Sequence, residues 1–229
     1  MNQSMNELEE KIAAIGREVV VCRRSCEGIF SSPPDGVIPR GLVLEPRNPS
    51  AQGVIFLGMN PGKGDDDERA RFKVDPSYES TVRFMRECRL PKHQYYLRLR
   101  LLVDACCLGG HQLWTECAKC ECASGAKRSL NSVYETCGGL FLEREIEAAP
   151  TDWVVFAVGR AAYEFAQGFF ADRAVVGVYH PTGSWPKYWN GMFEDGVFRS
   201  EFRLAVARIV KDRRAAWLGD EVRKGDAPG

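Results

Sequence analysis

Val54, Ile55, Phe56 and Leu57 run without a break into Gly58-Met59-Asn60-Pro61-Gly62. Four consecutive apolar residues, two of them β-branched, suit a short buried strand. In an open α/β sheet, ligands bind just beyond the carboxyl ends of the strands. Gly58 and Gly62 allow a sharp turn and a close approach to a ligand. Pro61 stiffens the loop and disfavours a helical Asn60. The stretch therefore predicts Asn60 held out at a sheet edge with its amide free. The same residue types also make ordinary strand-to-loop turns, so the meaning of this loop depends on what else the chain carries.

The rest of the chain supplies strands and helices in alternation. Residues 6–21 place Leu8, Ile12, Ile15 and Val19 on one stripe and predict a helix. Residues 42–45 predict a short edge strand, 112–115 a second core strand, 152–159 a third and 174–178 a fourth. Helices are expected over 78–88, 94–107, 160–169 and 197–216, with a polar tail after Asp220. Each core strand ends in a loop containing Gly or Pro. This pattern predicts a three-layer α/β/α fold with a short, mainly parallel central sheet, in one domain spanning residues 1–229.

The 31 basic and 31 acidic residues cancel, so a nucleic-acid partner would need a local basic face. No apolar run is long enough to span a membrane, and residues 1–16 lack the apolar core of a signal peptide. A cytoplasmic, reducing location and a monomer are expected. In that setting nine cysteines point to metal or cluster ligation, or to buried thiols. The acidic run Asp65-Asp66-Asp67-Glu68 reads as a solvated loop or a hard-cation site. Phe72 either folds back over the first loop or anchors the core.

A second loop stands out at Tyr179-His180-Pro181-Thr182-Gly183-Ser184-Trp185. In a doubly wound sheet it would open on the same edge as the first. An Asn amide can hold a water by donating and accepting hydrogen bonds. A His can donate to an oxygen on which negative charge develops. The two together suit displacement of a leaving group as an anion.

With both loops in view, the chain resembles the uracil-DNA glycosylase superfamily. Gly58-Met59-Asn60-Pro61-Gly62 is similar to the first motif of its single-strand-selective and mismatch-specific branches, and His180-Pro181-Thr182-Gly183-Ser184 to its His-Pro-Ser loop. The resemblance implies a uracil-DNA-glycosylase-like fold and a monofunctional DNA glycosylase of base excision repair, acting on uracil or another deaminated base in DNA. Asn60 would position water and His180 would stabilise the leaving base. Gly58 and Met59 would contact that base through the backbone and Phe72 by stacking. Lys187, Arg128, Lys127 and Arg40 are candidate phosphate contacts.

The cysteines resemble those of the superfamily's iron–sulfur branch. Cys22, Cys26, Cys120 and Cys137 fall where that branch holds a [4Fe–4S] cluster; a Cys₄ zinc site, or no metal, is chemically open too. Aligned on Lys119-Cys120, Glu116 stands where the branch has an Asn that reads the uracil edge. A carboxylate cannot donate unless protonated: it could pair with the uracil N3–H but would repel O4. Ser184 falls at the place of the side chain that fills the unstacked gap, a task Trp185 could take. The alternative to turnover is a lesion-DNA-binding iron–sulfur or zinc protein of the same fold.

Overall fold

The computed structural model describes residues 5–122, 131–182, 189, 191–194 and 197–225. Its centre is a six-stranded sheet in the order β10-β7-β6-β3-β4-β2. These strands are β2 (Val43–Glu45), β3 (Val54–Gly58), β4 (Gln112–Glu116), β6 (Val154–Val158), β7 (Val175–Val178) and β10 (Ala215–Trp217). Two short antiparallel pairs lie apart from it: β1 (Ile29–Phe30) with β5 (Glu121–Cys122), and β8 (Phe193–Glu194) with β9 (Val197–Phe198). The described α-helices are α1 (Met5–Val20), α2 (Asp66–Val74), α3 (Tyr78–Phe84), α4 (Gln94–Ala105), α5 (Asn131–Cys137), α6 (Glu143–Ala148), α7 (Arg160–Phe169), α8 (Ser200–Lys211) and α9 (Leu218–Gly225). The fold is thus α/β around a mostly parallel sheet. No helix among the described residues is long and apolar enough to cross a membrane.

The run β10-β7-β6-β3 is parallel throughout. Val54 pairs with Val154 and Leu57 with Ala157, and every residue of β3 and β6 is buried. Continuous apolar strands of this kind are stable only with both faces covered. Between β6 and β7 the chain crosses over through α7, which buries Ala162, Tyr163 and Ala166. Gly177 of β7 has no side chain to hold off the Tyr163 and Trp217 rings that lie against it.

The chain divides into two compact units. The first comprises Met1–Leu44, Gly58–Cys88 and Trp114–Pro150, the second Glu45–Leu57, Arg89–Leu113 and Thr151–Gly229. In the first, the α1 stripe is buried as its periodicity predicts. A core of Val20, Ile38, Phe72, Tyr78 and Phe84 fills the space beside it. The carbonyl of Leu44, on edge strand β2, accepts from the Arg86 guanidinium at 2.7 Å. That bond satisfies a polar group an edge strand would leave bare.

The carboxyl-terminal segment differs from the expected single helix over 197–216. The helix is α8 alone and stops after Lys211, where Arg213 takes a left-handed conformation (φ 47°). The chain then adds β10 to the sheet beside β7. The expected polar tail continues as helix α9, whose Glu221 is buried and bonds the Arg214 guanidinium at 2.7 and 3.0 Å. Only Ala215, Ala216 and Trp217 carry the strand, too short a run to show against a helical pattern.

Trp217 is buried against Tyr163 (ring centroids 5.5 Å) and Tyr179 (5.0 Å). Trp217→Ala should therefore cost about 3–5 kcal/mol in urea unfolding. A loss below about 1 kcal/mol, the size expected of a surface change, would contradict the placement of β10.

Candidate functional site

The first loop leaves β3 at Gly58 and is laid along the chain that follows β4. The Cys117 N–H donates to the Gly58 carbonyl and the Ala118 N–H to the Met59 carbonyl, both at 2.9 Å. Gly58 leaves room for the Glu116 carboxyl group, which a Cβ there would displace. Gly41 (φ 97°) closes the other side: its Cβ would lie 2.7 Å from Glu116 Cγ and 3.2 Å from Pro61 Cγ. Gly62 has open space where a Cβ would stand. The carboxyl group of Glu116 thus packs under the loop among Gly58, Gly41 and Pro61. Burial pushes its pKa up to about 8, against the nearby charges of Lys119 and Arg40 and with that of Glu145. That shift favours the carboxylic acid form, which can donate one hydrogen bond and accept another.

Asn60 is half-buried, and its amide is not free as the sequence predicts. The Nδ2 group donates to the Pro61 carbonyl at 3.0 Å and to the Cys122 sulfur. Among the described residues these bonds engage the nitrogen alone, which orients Oδ1 as the remaining acceptor. Met59 is partly exposed.

The far side of the loop is held by buried charges. Arg40 donates to the Gly62 carbonyl at 2.8 Å and to Glu121 at 2.9 Å, and it also pairs with Glu68. Glu121 accepts in turn from the Gly64 N–H at 3.0 Å and from Arg69 at 3.2 Å. Two cations and two carboxylates therefore balance at the loop's exit. Arg40 is only 8% exposed. The expectation that it contacts phosphate is corrected: its guanidinium is enclosed by protein partners.

The second loop follows β7 in the second unit. The Thr182 N–H donates to His180 Nδ1 at 3.3 Å. An Nδ1 that accepts carries no proton, so the neutral ring keeps its proton on Nε2. Burial, followed by the charge of His93, lowers the His180 pKa and favours that neutral ring. Helix α4 supplies neighbours that the sequence reading missed. The Tyr95 ring lies 5.1 Å from the His180 ring, tilted by 44°, and Arg98 donates to the Pro181 carbonyl. β3, β6 and β7 are parallel, so these three strands end at one edge of the sheet. Ser184, Trp185, Lys187, Lys127 and Arg128 lie outside the described residues.

Phe72 is a core residue, 1% exposed, with its ring set edge-on to Phe84 at 5.7 Å. Of the two readings of Phe72, the structure has the core anchor. A ring engaged in that cluster is not presented to the loop.

Cys22 and Cys26 lie in the turn after α1, Cys120 just after β4, and Cys137 at the end of α5. The β1–β5 ladder ties the segment after Cys26 to the one after Cys120. Burial first, then the charges of Cys137, Cys22 and Cys26, pushes the Cys120 thiol up to about 12. The Cys137 thiol is raised by burial and by Cys26 and Cys22, while its sulfur accepts the Lys119 N–H. Cys120 and Cys137 thus lie within reach of the charges of Cys22 and Cys26. Among the described residues, no three His, Cys, Asp or Glu side chains are closed into a metal-holding group. Neighbouring soft ligands and an N–H aimed at sulfur fit the chemistry of a thiolate-held cluster or zinc.

No family model matches the chain, and no curated protein does either.

Removing the Arg40 charge would leave Glu68 and Glu121 buried without it. Arg40→Met should lower stability by about 3–5 kcal/mol and speed hydrogen exchange at the Gly64 amide. A variant with wild-type urea midpoint and unchanged exchange there would contradict the clamp.

Proposed function

We propose that the chain is a monofunctional DNA glycosylase with a uracil-DNA-glycosylase-like fold, hydrolysing the N-glycosidic bond of uracil or another deaminated base in DNA. The observation that carries the reading is the hydrogen bond from the Thr182 N–H to His180 Nδ1. That bond leaves Nε2–H as a fixed donor at the carboxyl end of β7. Asn60, at the carboxyl end of β3, supports it with an acceptor held in place by bonds to Pro61 and Cys122.

The damaged nucleotide is turned out of the stack so that its sugar C1′ becomes accessible. Asn60 Oδ1 accepts a hydrogen bond from the attacking water and orients its lone pair toward C1′. The C1′–N bond breaks with its electron pair on the base, which departs as an anion; the water oxygen bonds to C1′, and the proton it gives up ends on the departed base. His180 Nε2–H donates to the base oxygen that carries the charge. A donor already aimed there needs no reorganisation as the charge forms. Neutral Glu116 offers one donor and one acceptor side by side, the complement of the C(=O)–NH edge that deamination creates. The four thiolates of Cys22, Cys26, Cys120 and Cys137 would hold a [4Fe–4S] cluster or zinc, which would supply structural cohesion, since metal-binding energy becomes folding energy.

Single-turnover excision on oligonucleotides carrying uracil, hypoxanthine or xanthine, in single and double strands, tests the reading. The wild type should leave an abasic site on at least one of them. His180→Ala should lose on the order of a hundredfold in rate, and His180→Asn, which keeps a donor, should recover part of it. Asn60→Ala should lose rate with little loss of DNA binding, because it acts on the water. No abasic product on any deaminated base would contradict the proposal.

Glu116 adds a pH signature. Ionisation removes its donor, so excision should fall as pH rises through about 8. Glu116→Gln keeps a donor and an acceptor at every pH and should flatten that limb. An equal decline in both proteins would remove Glu116 from base recognition.

A further inference from the structure

Glu116 is the one residue of β4 that is not fully buried: Gln112 to Thr115 are enclosed, and the strand opens at its carboxyl end. Beside that end lies a sealed set of polar groups. Lys119 is 1% exposed, Thr115 3% and Glu145 of α6 0%. The Lys119 ammonium donates to Thr115 Oγ1 at 2.6 Å, to Glu145 Oε2 at 2.8 Å and to the main-chain carbonyl of Glu116 at 2.8 Å. These three bonds use every donor an ammonium has. The Thr115 hydroxyl in turn donates to Glu145 Oε2. Glu145 Oε1 is buried and has no hydrogen-bond partner among the described residues. Successive side chains of a strand point to opposite faces, so those of Thr115 and Glu116 diverge. Lys119 therefore grips the strand from the Thr115 face and reaches Glu116 at its main chain. The Lys119 carbonyl accepts the Arg40 N–H at 2.7 Å, which joins this grip to the clamp on the first loop.

As a source of stability this arrangement is poor. A buried ion pair contributes little compared with apolar side chains of the same volume, and a buried oxygen without a partner is a further cost. What the pair does hold is the main chain at the one accessible residue of the strand. We propose that Lys119, anchored on Thr115 and Glu145, is a positioning residue for Glu116 in base recognition. The proposal rests on the glycosylase reading and adds what fixes the place and the proton of its base-reading acid. By pinning the Glu116 carbonyl, Lys119 steadies the segment whose Cys117 and Ala118 N–H groups bond the Gly58 and Met59 carbonyls. Its charge also acts on the carboxyl group. Lys119 and Arg40 favour the ionised form of Glu116, and Glu145 disfavours it. Cys117 and Tyr134 also lie within reach of the Glu116 charge, and burial keeps both neutral. The two charges of the pair act on Glu116 with opposite sign, so removing one alone moves its proton.

The Glu116 proton is read apart from turnover by ¹³C magnetic resonance of the full chain with labelled glutamate carboxyls. Its signal is the one missing from Glu116→Gln. The wild-type midpoint should lie at about 8. Glu145→Gln keeps an acceptor for Lys119 and removes the negative charge. The Glu116 midpoint should then fall by about one pH unit, and the alkaline limb of excision should move down with it. Lys119→Met combined with Glu145→Leu removes both charges and the pin. This double variant should fold, because an apolar pair replaces an ionic one. Its Cys117 and Ala118 amides should exchange about tenfold faster than in the wild type. A folded Glu145→Gln whose Glu116 midpoint stays at or above the wild-type value would overturn the proposal. So would wild-type exchange at both amides in the double variant; if that variant does not fold, the Glu145→Gln midpoint decides alone. Midpoint and exchange changes as stated, with no excision of any deaminated base by the wild type, would sink the glycosylase reading and leave Lys119 as the residue that positions Glu116.

Discussion

Everything proposed for this chain depends on the parallel pairing of β3, β6 and β7. The pairing is hydrophobic in origin: Val54, Ile55, Phe56 and Leu57 against Val154, Val155, Phe156 and Ala157, all buried. Strands buried on both faces have no solvated side to specify register by alternation. Here the register is fixed by volume, with Phe56 opposite Phe156 at 6.0 Å and Gly177 making room for two rings. Parallel direction then fixes which edge the following loops leave from.

Around the first loop the dominant force changes from apolar burial to buried charge. Arg40, Glu68 and Glu121 are nearly inaccessible, as are Lys119 and Glu145. Buried ion pairs contribute little net stability compared with apolar packing, but breaking one is costly. Such pairs suit a site that must hold one loop conformation. Glu116 is the exception to the pairing. It has opposite charges nearby, yet burial outweighs them and favours its neutral form. The same low-dielectric setting that rigidifies the loop gives that acid its donor.

Much of the architecture was legible in the sequence because it is local. The β3 and β6 runs, the α1 stripe, the edge position of β2 and the crossover through α7 all follow from periodicity and from glycine at strand ends. The strand β10 was not, since three residues after a helix carry no period of their own. The site was legible only as two motifs. That Asn60 bonds Cys122, that Glu116 lies under Gly58, and that Tyr95 packs on His180 are contacts between distant segments. No spacing rule reports them. Arg40 shows the same limit from the other side: an arginine beside a Gly-rich loop reads as a phosphate contact, and only its burial between two carboxylates says otherwise.

The proposed function requires Asn60 and His180 to act on one ligand. Nuclear magnetic resonance of the full chain, labelled with ¹⁵N and titrated with an oligonucleotide containing an abasic-site analogue and free uracil, reads both side chains in one experiment. The account expects the Asn60 amide and the His180 Nε2–H to shift together, along saturation curves with the same midpoint. Shifts at one residue without the other, or two separate midpoints, would contradict it.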